Sequence, residues 1–373
     1  NTTADNNTAI GYNALTANTT GHSNVAVGRS ALNANTTATN NTAVGTSALA
    51  ANTTGAELVA AGKGALDANT TGDSSTAVGF EALGGNTTGD VNTACGHKSL
   101  LSNSTGTNNT AVGGSSLRNN TTANNNTAVG QAALKENTTG ASCTAVGANT
   151  LQNNTTGGTN VAIGNAALFS NTTASNNTAL GAEALNANTT GVLNTAIGAN
   201  AGDDNTTGSH NTFVGSNSGT STGAGGSITT GNGNFVLGDD NVSNLFCNDT
   251  SISASDSRDK TDITDFTQGL SWIESLRPVT YRWDRRTWYG TDTEPYGTPD
   301  GSKKKARLHV GFLAQEALEV EKTNGYGTSN DNSLICNLTD DEMKLGIKYE
   351  RIIPMLVNAI KELSAKVTAL EAG

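Results

Sequence analysis

The sequence predicts an all-β repeat shaft of 17-residue β-solenoid or β-roll-like coils, followed by a small α/β domain that ends in a coiled-coil helix. Three observations carry this. A glycine recurs at every seventeenth position from Gly11 to Gly215, thirteen times without an insertion. Composition changes sharply near residue 251: the three tryptophans (Trp272, Trp283, Trp288) lie beyond it, and of the 21 basic residues only Arg29, Lys63, Lys98, Arg118 and Lys135 precede it. At the C-terminal end, Ile353, Leu356, Ile360, Leu363, Val367 and Leu370 are spaced 3, 4, 3, 4, 3.

The repeat reads N-T-A-[VI]-G-x-x-A-L-x-x-N-T-T-[GA]-x-x, with a leucine column from Leu15 to Leu185 that fails at Gly202. A fixed period without insertions places each copy equivalently in a stack, because one such unit cannot bury its own apolar face and stacked units can. T-A-[VI]-G reads as a short strand and N-T-T-G as a turn, since Asn and Gly tolerate left-handed backbone. G-x-x-A-L fits either a second strand or one helical turn; periodicity does not separate the two on so few residues. The Asn18, Asn35, Asn52 and Asn69 column is expected to stack as an amide ladder. The N-T-T triplets also match the N-glycosylation pattern, but a glycan on every coil would crowd its neighbours, so turn chemistry is the preferred explanation.

Side chains alternate faces along a strand. Ala9-Ile10, Ala26-Val27, Ala43-Val44 and Ala196-Ile197 therefore make both faces of the strand apolar. One face can line the coil's own interior; the other needs a partner, and a homotrimer is expected to supply it. The bulk composition agrees. Aromatics are 4% and charged residues 14%, too few large apolar side chains for one globular core. A net charge of −11 argues against a nucleic-acid partner or an anionic membrane surface. No apolar run is long enough to span a bilayer, so no membrane insertion is expected, and no signal peptide is visible. The chain starts inside a repeat and without Met, which reads as a fragment of a longer protein.

Cys95, Cys143, Cys247 and Cys336 show neither metal nor disulfide spacing and read as reduced packing residues. His22, His97 and His210 fall at different phases of the repeat, and His309 reads as structural, so no metal site and no cofactor are expected. The Lys303–Lys305 run reads as a solvated loop.

The expected division is a shaft over 1–215, a transition or stem segment over 216–254, and the C-terminal domain over 255–373. Within the stem, 216–234 reads as a loop or a loosened last coil, Phe235–Gly238 as a final strand echoing the repeat, and Leu245-Phe246 as a further short strand. The terminal helix, over about 350–373, starts with Pro354 in its first turn, where a missing N–H costs little. Its 3/4 spacing is an a/d seam, read as an inter-chain, trimeric coiled coil; packing on its own domain is the alternative.

Four motifs in the C-terminal domain resemble the intramolecular chaperone of phage endosialidases, peptidase family S74. Ser255-Asp256-Ser257-Arg258-Asp259-Lys260 matches S-D-x-R-x-K; Leu276 to Trp283 matches L-x-P-V-x-Y-x-W; His309 to Glu316 matches G-[FL]-[IL]-A-Q-E; Tyr349 to Leu363 is similar to the family's C-terminal helix. The resemblance covers about the last third of the chain. It implies that Ser255 is the nucleophile and Lys260 the base of a dyad that cuts its own chain. A serine hydroxyl needs a base, and a lysine neutralised by burial can serve. The resemblance puts the cut at Ser255–Asp256; attack on the serine's own preceding carbonyl, at Ala254–Ser255, is geometrically easier and stays open. Ser257 departs from the family's frequent acidic residue without touching the dyad. Separately, the shaft repeats resemble the head repeats of trimeric autotransporter adhesins over the strand motif, though their period differs.

These resemblances imply a virion tail fibre or tailspike, made in the host cytoplasm, that contacts a host cell-surface glycan or other receptor. The repeat itself gives a chaperone work to do: a slip of one whole repeat recreates almost every contact, and non-local β pairing is slow and aggregation-prone. A bacterial adhesin would predict a C-terminal membrane barrel, whereas the end of this chain is expected to form a soluble coiled coil. An ice-binding solenoid needs a flat exposed Thr face. A glycan-cleaving enzyme needs a placed carboxylate pair, and the shaft's acidic residues fall in no recurring column.

Overall fold

The computed structural model describes residues 4–223, 225–239, 241–242, 261, 263–290, 296–329, 332–338 and 345–372. Ser255, Asp256, Lys260, Cys247 and the Leu245-Phe246 strand expected from the sequence lie outside the described residues. The chain falls into two compact units, Asn1–Asp239 and Asp240–Gly373.

The first unit is a β-solenoid. Three-residue strands run from β1 (Thr8–Ile10) through β13 (Thr212–Val214) to β14 (Phe235–Leu237) and form one 14-stranded parallel sheet in sequence order. Each of the first twelve steps is one repeat long, as in Ala9↔Ala26. The last step is longer, with Thr212 paired to Phe235, so the segment after Gly215 is a loosened coil closed by a final strand. The central alanine of the strand, Ala26 to Ala196, is fully buried. Its neighbours point outward: Val44, Val78, Val112, Ile163, Leu180 and Ile197 are 37–45% exposed. Cys95 belongs to this outward file and is exposed, which corrects its reading as a packing residue; Cys143 is buried as expected.

G-x-x-A-L is neither strand nor helical turn. Two of its residues are left-handed in coil after coil, as at Ser115 (φ 60°) and Leu117 (φ 47°), which breaks both regular conformations. An L-residue there costs about 1–2 kcal/mol. Complete burial of each leucine from Leu32 to Leu185 offsets this by roughly 1.5–3 kcal/mol. Coil geometry therefore follows from stacking and not from local propensity. The repeat glycine is constrained more tightly still. Gly113 has φ +125°, and a Cβ there would lie 2.5 Å from the carbonyl oxygen of Gly130 in the next coil.

Two interior asparagine files hold the coils in register. In the first, Asn35 Nδ2 donates to Asn18 Oδ1 at 2.9 Å and to the Ala38 carbonyl at 3.2 Å. The pattern continues coil by coil to Asn205, which donates to Asn188 Oδ1 at 3.1 Å. The second file is the asparagine before the strand. Asn109 Oδ1 accepts from the backbone N–H of Asn126 at 3.0 Å, and its Nδ2 donates to Ala123 O at 2.8 Å. Cys143 occupies this file. Asn18, Asn35 and their counterparts are buried and committed, which agrees with turn chemistry over glycosylation in the folded coil.

The ladder ends where the repeat does. The position after Asn205 is taken by buried Ile228, and among the described residues Asn205 Oδ1 has no hydrogen-bond partner. The leucine column ends by a concerted exchange: Phe213 replaces the strand alanine, and its ring fills the space that Gly202 and Gly219 leave, within 2.5 Å of where either Cβ would sit. Asn120→Ala, in mid-ladder, leaves Asn103 Oδ1 without its donor and is expected to cost about 2–3 kcal/mol. Asn205→Ala, which also removes the orphaned oxygen, should cost less. Denaturant unfolding of the two variants checks this; equal losses would mean that the ladder bonds are not the source.

The second unit is small and mixed. It holds α1 (Leu270–Ser275), an antiparallel pair β15 (Val279–Tyr281) and β16 (His309–Gly311), α2 (Ala314–Thr323), a second antiparallel pair β17 (Cys336–Leu338) and β18 (Leu345–Ile347), and α3 (Ile353–Glu371). Pro354 lies in the first turn of α3, as the sequence predicts. Its core gathers Trp272, Leu276, Ala317, Ile335, Cys336, Ile352 and Met355.

Candidate functional site

Three of the four motif segments meet in the second unit. The L-x-P-V-x-Y-x-W segment forms β15, and the A-Q-E segment forms β16 and the start of α2; they pair in the register Val279↔Gly311, Thr280↔Val310, Tyr281↔His309. Side chains repeat the connection. Arg277 Nε donates to Glu316 Oε2 at 3.1 Å, and this exposed guanidinium is held above its usual range by that carboxylate. The third segment joins through Tyr349, whose hydroxyl accepts from the Phe312 N–H at 3.1 Å. A Cβ at Gly311 would lie 2.4 Å from that hydroxyl, so the glycine in the motif makes room for the tyrosine.

His309 stacks on Tyr281 at 5.5 Å between ring centroids, next to Trp283, a structural place as expected from the sequence. Lys303 and Lys305 sit in an exposed loop, with their ammonium groups 5.2 Å and 4.9 Å from the ring centroids of Tyr289 and Trp288. Glu321 is a fully buried carboxylate that accepts from Ser333 Oγ at 2.6 Å, from the Cys336 N–H at 3.3 Å and from the Ile335 N–H. It ties the loop after α2 to β17. Burial, and then the Glu321 charge, push the Cys336 thiol up to about 12, so it is no thiolate nucleophile near neutral pH.

Helix α3 has two distinct faces. Met355 and Ala359 are buried, while on the same side Asn358 Nδ2 donates to Phe266 O at 2.7 Å and Glu362 Oε2 accepts from the Leu270 N–H at 3.2 Å. These bonds fasten the segment that enters α1. The 3/4 seam adjoins this face: Ile353, Leu356, Ile360, Leu363, Val367 and Leu370 are 43–81% exposed. The seam is therefore not packed against its own domain.

The dyad predicted from the sequence, Ser255 and Lys260, and Asp256 at the expected cut lie outside the described residues, so the structure places neither the nucleophile nor the base. Among the described residues no group of three or more His, Cys, Asp or Glu side chains could hold a metal ion, and no helix is long and apolar enough to cross a membrane. In the shaft, Asp203 comes near Asp204 and Glu183; burial first, then those charges, push its carboxyl up to about 6.

Residues 255–326 match the family model described as chaperone of endosialidase, Peptidase_S74. The match spans the dyad motif, β15, β16 and α2 and stops before β17 and α3. No curated protein and no solved structure matches the chain.

Proposed function

From the chaperone-of-endosialidase match directly downstream of a β-solenoid, we propose that the chain is the shaft of a virion tail fibre or tailspike that serves host-cell attachment. The C-terminal unit acts as an intramolecular chaperone: it brings chains together as a homotrimer, sets the shaft's register and then releases itself through Ser255 and Lys260. The match carries this reading. Two exposed apolar surfaces on one chain support it: the outward Val/Ile file of the solenoid and the a/d seam of α3. Each has a repeat that a second copy of the same chain would share.

Cys95 tests the assembled state, because it lies in the outward file and is exposed in the single chain. The purified protein is expected to sediment as three chains, with Cys95 unreactive toward a maleimide until the protein is denatured. Ready labelling of Cys95 in the native oligomer would show that the file is not the contact between chains, and a monomeric mass would remove the trimer.

A further inference from the structure

Two flanks border the outward strand face of the solenoid, and they differ in charge. The upstream flank consists of the sixth and fifth residues before each repeat glycine. Over the thirteen repeats it holds Asp5, Glu57, Asp73 and Asp90 and neither lysine nor arginine. The downstream flank consists of the first and second residues after the glycine. It holds Arg29, Lys63 and Lys98, three of the five basic residues in the first 250. Lys98 is already paired to Glu81 of the same flank at 3.6 Å, so Arg29 and Lys63 carry its excess charge. Glu183, the other acidic residue there, lies in the C-terminal half of the shaft.

The carboxylates are held in place but not neutralised. Asp73 Oδ1 accepts from the Ala56 N–H at 2.7 Å, and Asp90 Oδ1 accepts from the Asp73 N–H at 2.8 Å. Ser74 Oγ donates to Glu57 Oε2 at 3.2 Å. Among the described residues no cation pairs with these acids and no carboxylate pairs with Arg29 or Lys63. The Lys63 ammonium lies 5.6 Å from the Phe80 ring centroid, a contact that leaves its charge in place. Asp5, Arg29, Glu57, Lys63 and Asp73 are exposed.

Symmetry decides which flanks can meet. Shafts related by an axis along their length, whatever their number, bring the upstream flank of each chain against the downstream flank of the next. Shafts related by an axis across their length bring like flanks together, acid against acid. We propose that copies of this chain dock in parallel, with the acidic upstream flank of one shaft against the basic downstream flank of its neighbour. Lys63 then meets Glu57 or Asp73, and Arg29 meets Asp5. In a parallel alignment of equal coils each of these cations has a carboxylate no more than one coil away, about 4.8 Å along the shaft and within reach of its side chain. Such rim charges choose partner and orientation more than they add affinity, which leaves the apolar strand face between the flanks to hold the chains. The inference rests on the homotrimer reading and adds which sides of the shafts meet and in which sense. It does not depend on self-cleavage.

The test is carbodiimide coupling of the native full chain, which condenses a carboxylate and an amine in direct contact into an amide with loss of water, read by digestion and mass spectrometry. The two flanks of one chain stand roughly 15–20 Å apart across the strand, so a zero-length link between them joins two chains. Lys63 is expected to couple to Glu57 or Asp73. Glu57→Gln with Asp73→Asn should lower Lys63 coupling about fivefold or more. Exchanging the charges, Lys63→Glu with Glu57→Lys, should restore a link between positions 57 and 63, which a misfolded shaft would not do. Coupling of Lys135 to Glu136, 2.9 Å apart within one chain, should be unchanged in every variant and reports an intact solenoid. Absence of links between flanks while Lys135 and Glu136 couple, or a charge exchange that restores nothing, overturns the proposal. Light scattering of the same samples separates the two readings: an oligomer without flank links removes the flank pairing alone, and a single-chain mass removes the homotrimer together with it.

Discussion

Ser255→Ala is expected to leave the chain at its full 373 residues, while the unsubstituted chain resolves after denaturation into pieces of 255 and 118 residues. The effect should be all or none, because a serine hydroxyl attacks an amide only when a base takes its proton, and alanine offers no hydroxyl. A cut at Ala254–Ser255 moves one serine from the larger piece to the smaller, so intact mass also decides which bond breaks. Lys260→Arg gives a second arm. Arginine keeps the positive charge and much of the length but stays protonated and cannot act as the base, so it too should stop the cut. A lysine acting as base must be neutral, so the cutting rate of the unsubstituted chain should rise with pH as the ammonium form is depleted. Cleavage that survives both substitutions would end the dyad reading. An unsubstituted chain that stays whole would leave the C-terminal unit at most a permanent cap on the shaft.

The shaft was legible because its period is constant and its columns are chemically uniform. The strand and the Asn18 ladder follow from lining up the copies; that the alanine face is the inner one does not. The left-handed leucines were not legible, since no propensity suggests a positive φ for Leu; that conformation exists only because the next coil buries the side chain. The bonds of the second asparagine file were not legible, because each joins the side chain to backbone groups one repeat away. In the C-terminal unit the motif segments were legible singly, but the Tyr349 hydroxyl bonded to the Phe312 N–H and the Glu321 knot were not, because they join positions far apart in sequence. The α3 helix was legible from its spacing, and its 3/4 residues are largely exposed in the single chain. Its composition adds something that spacing does not. Ile353, Ile360 and Val367 fall at a and Leu356, Leu363 and Leu370 at d, the choice that favours two strands over three. The helix alone therefore does not specify a trimer, and in the proposed homotrimer the shaft would have to set the number of chains.

In the proposed assembly the shafts meet along the outward file, so Val78→Lys combined with Val112→Lys is expected to abolish the shaft oligomer. Both valines are about 40% exposed in the single chain, so burying each between chains contributes about 1 kcal/mol. The gain is small per residue, but it is repeated down fourteen strands and in every chain. A lysine ammonium in the same place reverses the sign, since an unpaired charge taken out of water costs several kcal/mol and every chain of the assembly would carry two. Within a single chain the substitutions should be mild, because the side chains point away from the coil and the alanines between them keep their burial. Light scattering of the shaft after release of the C-terminal unit should report one chain where the unsubstituted shaft reports three, with β-structure retained by circular dichroism. Ala148→Lys, outside the file, provides the matched control and should assemble normally. If the doubly substituted shaft still forms a stable oligomer, the outward file faces solvent and the chains are joined elsewhere. The Thr and Val columns it shares with the strand would then have to be explained as a free surface, which returns the ice-binding reading to contention and makes a thermal-hysteresis measurement the next step.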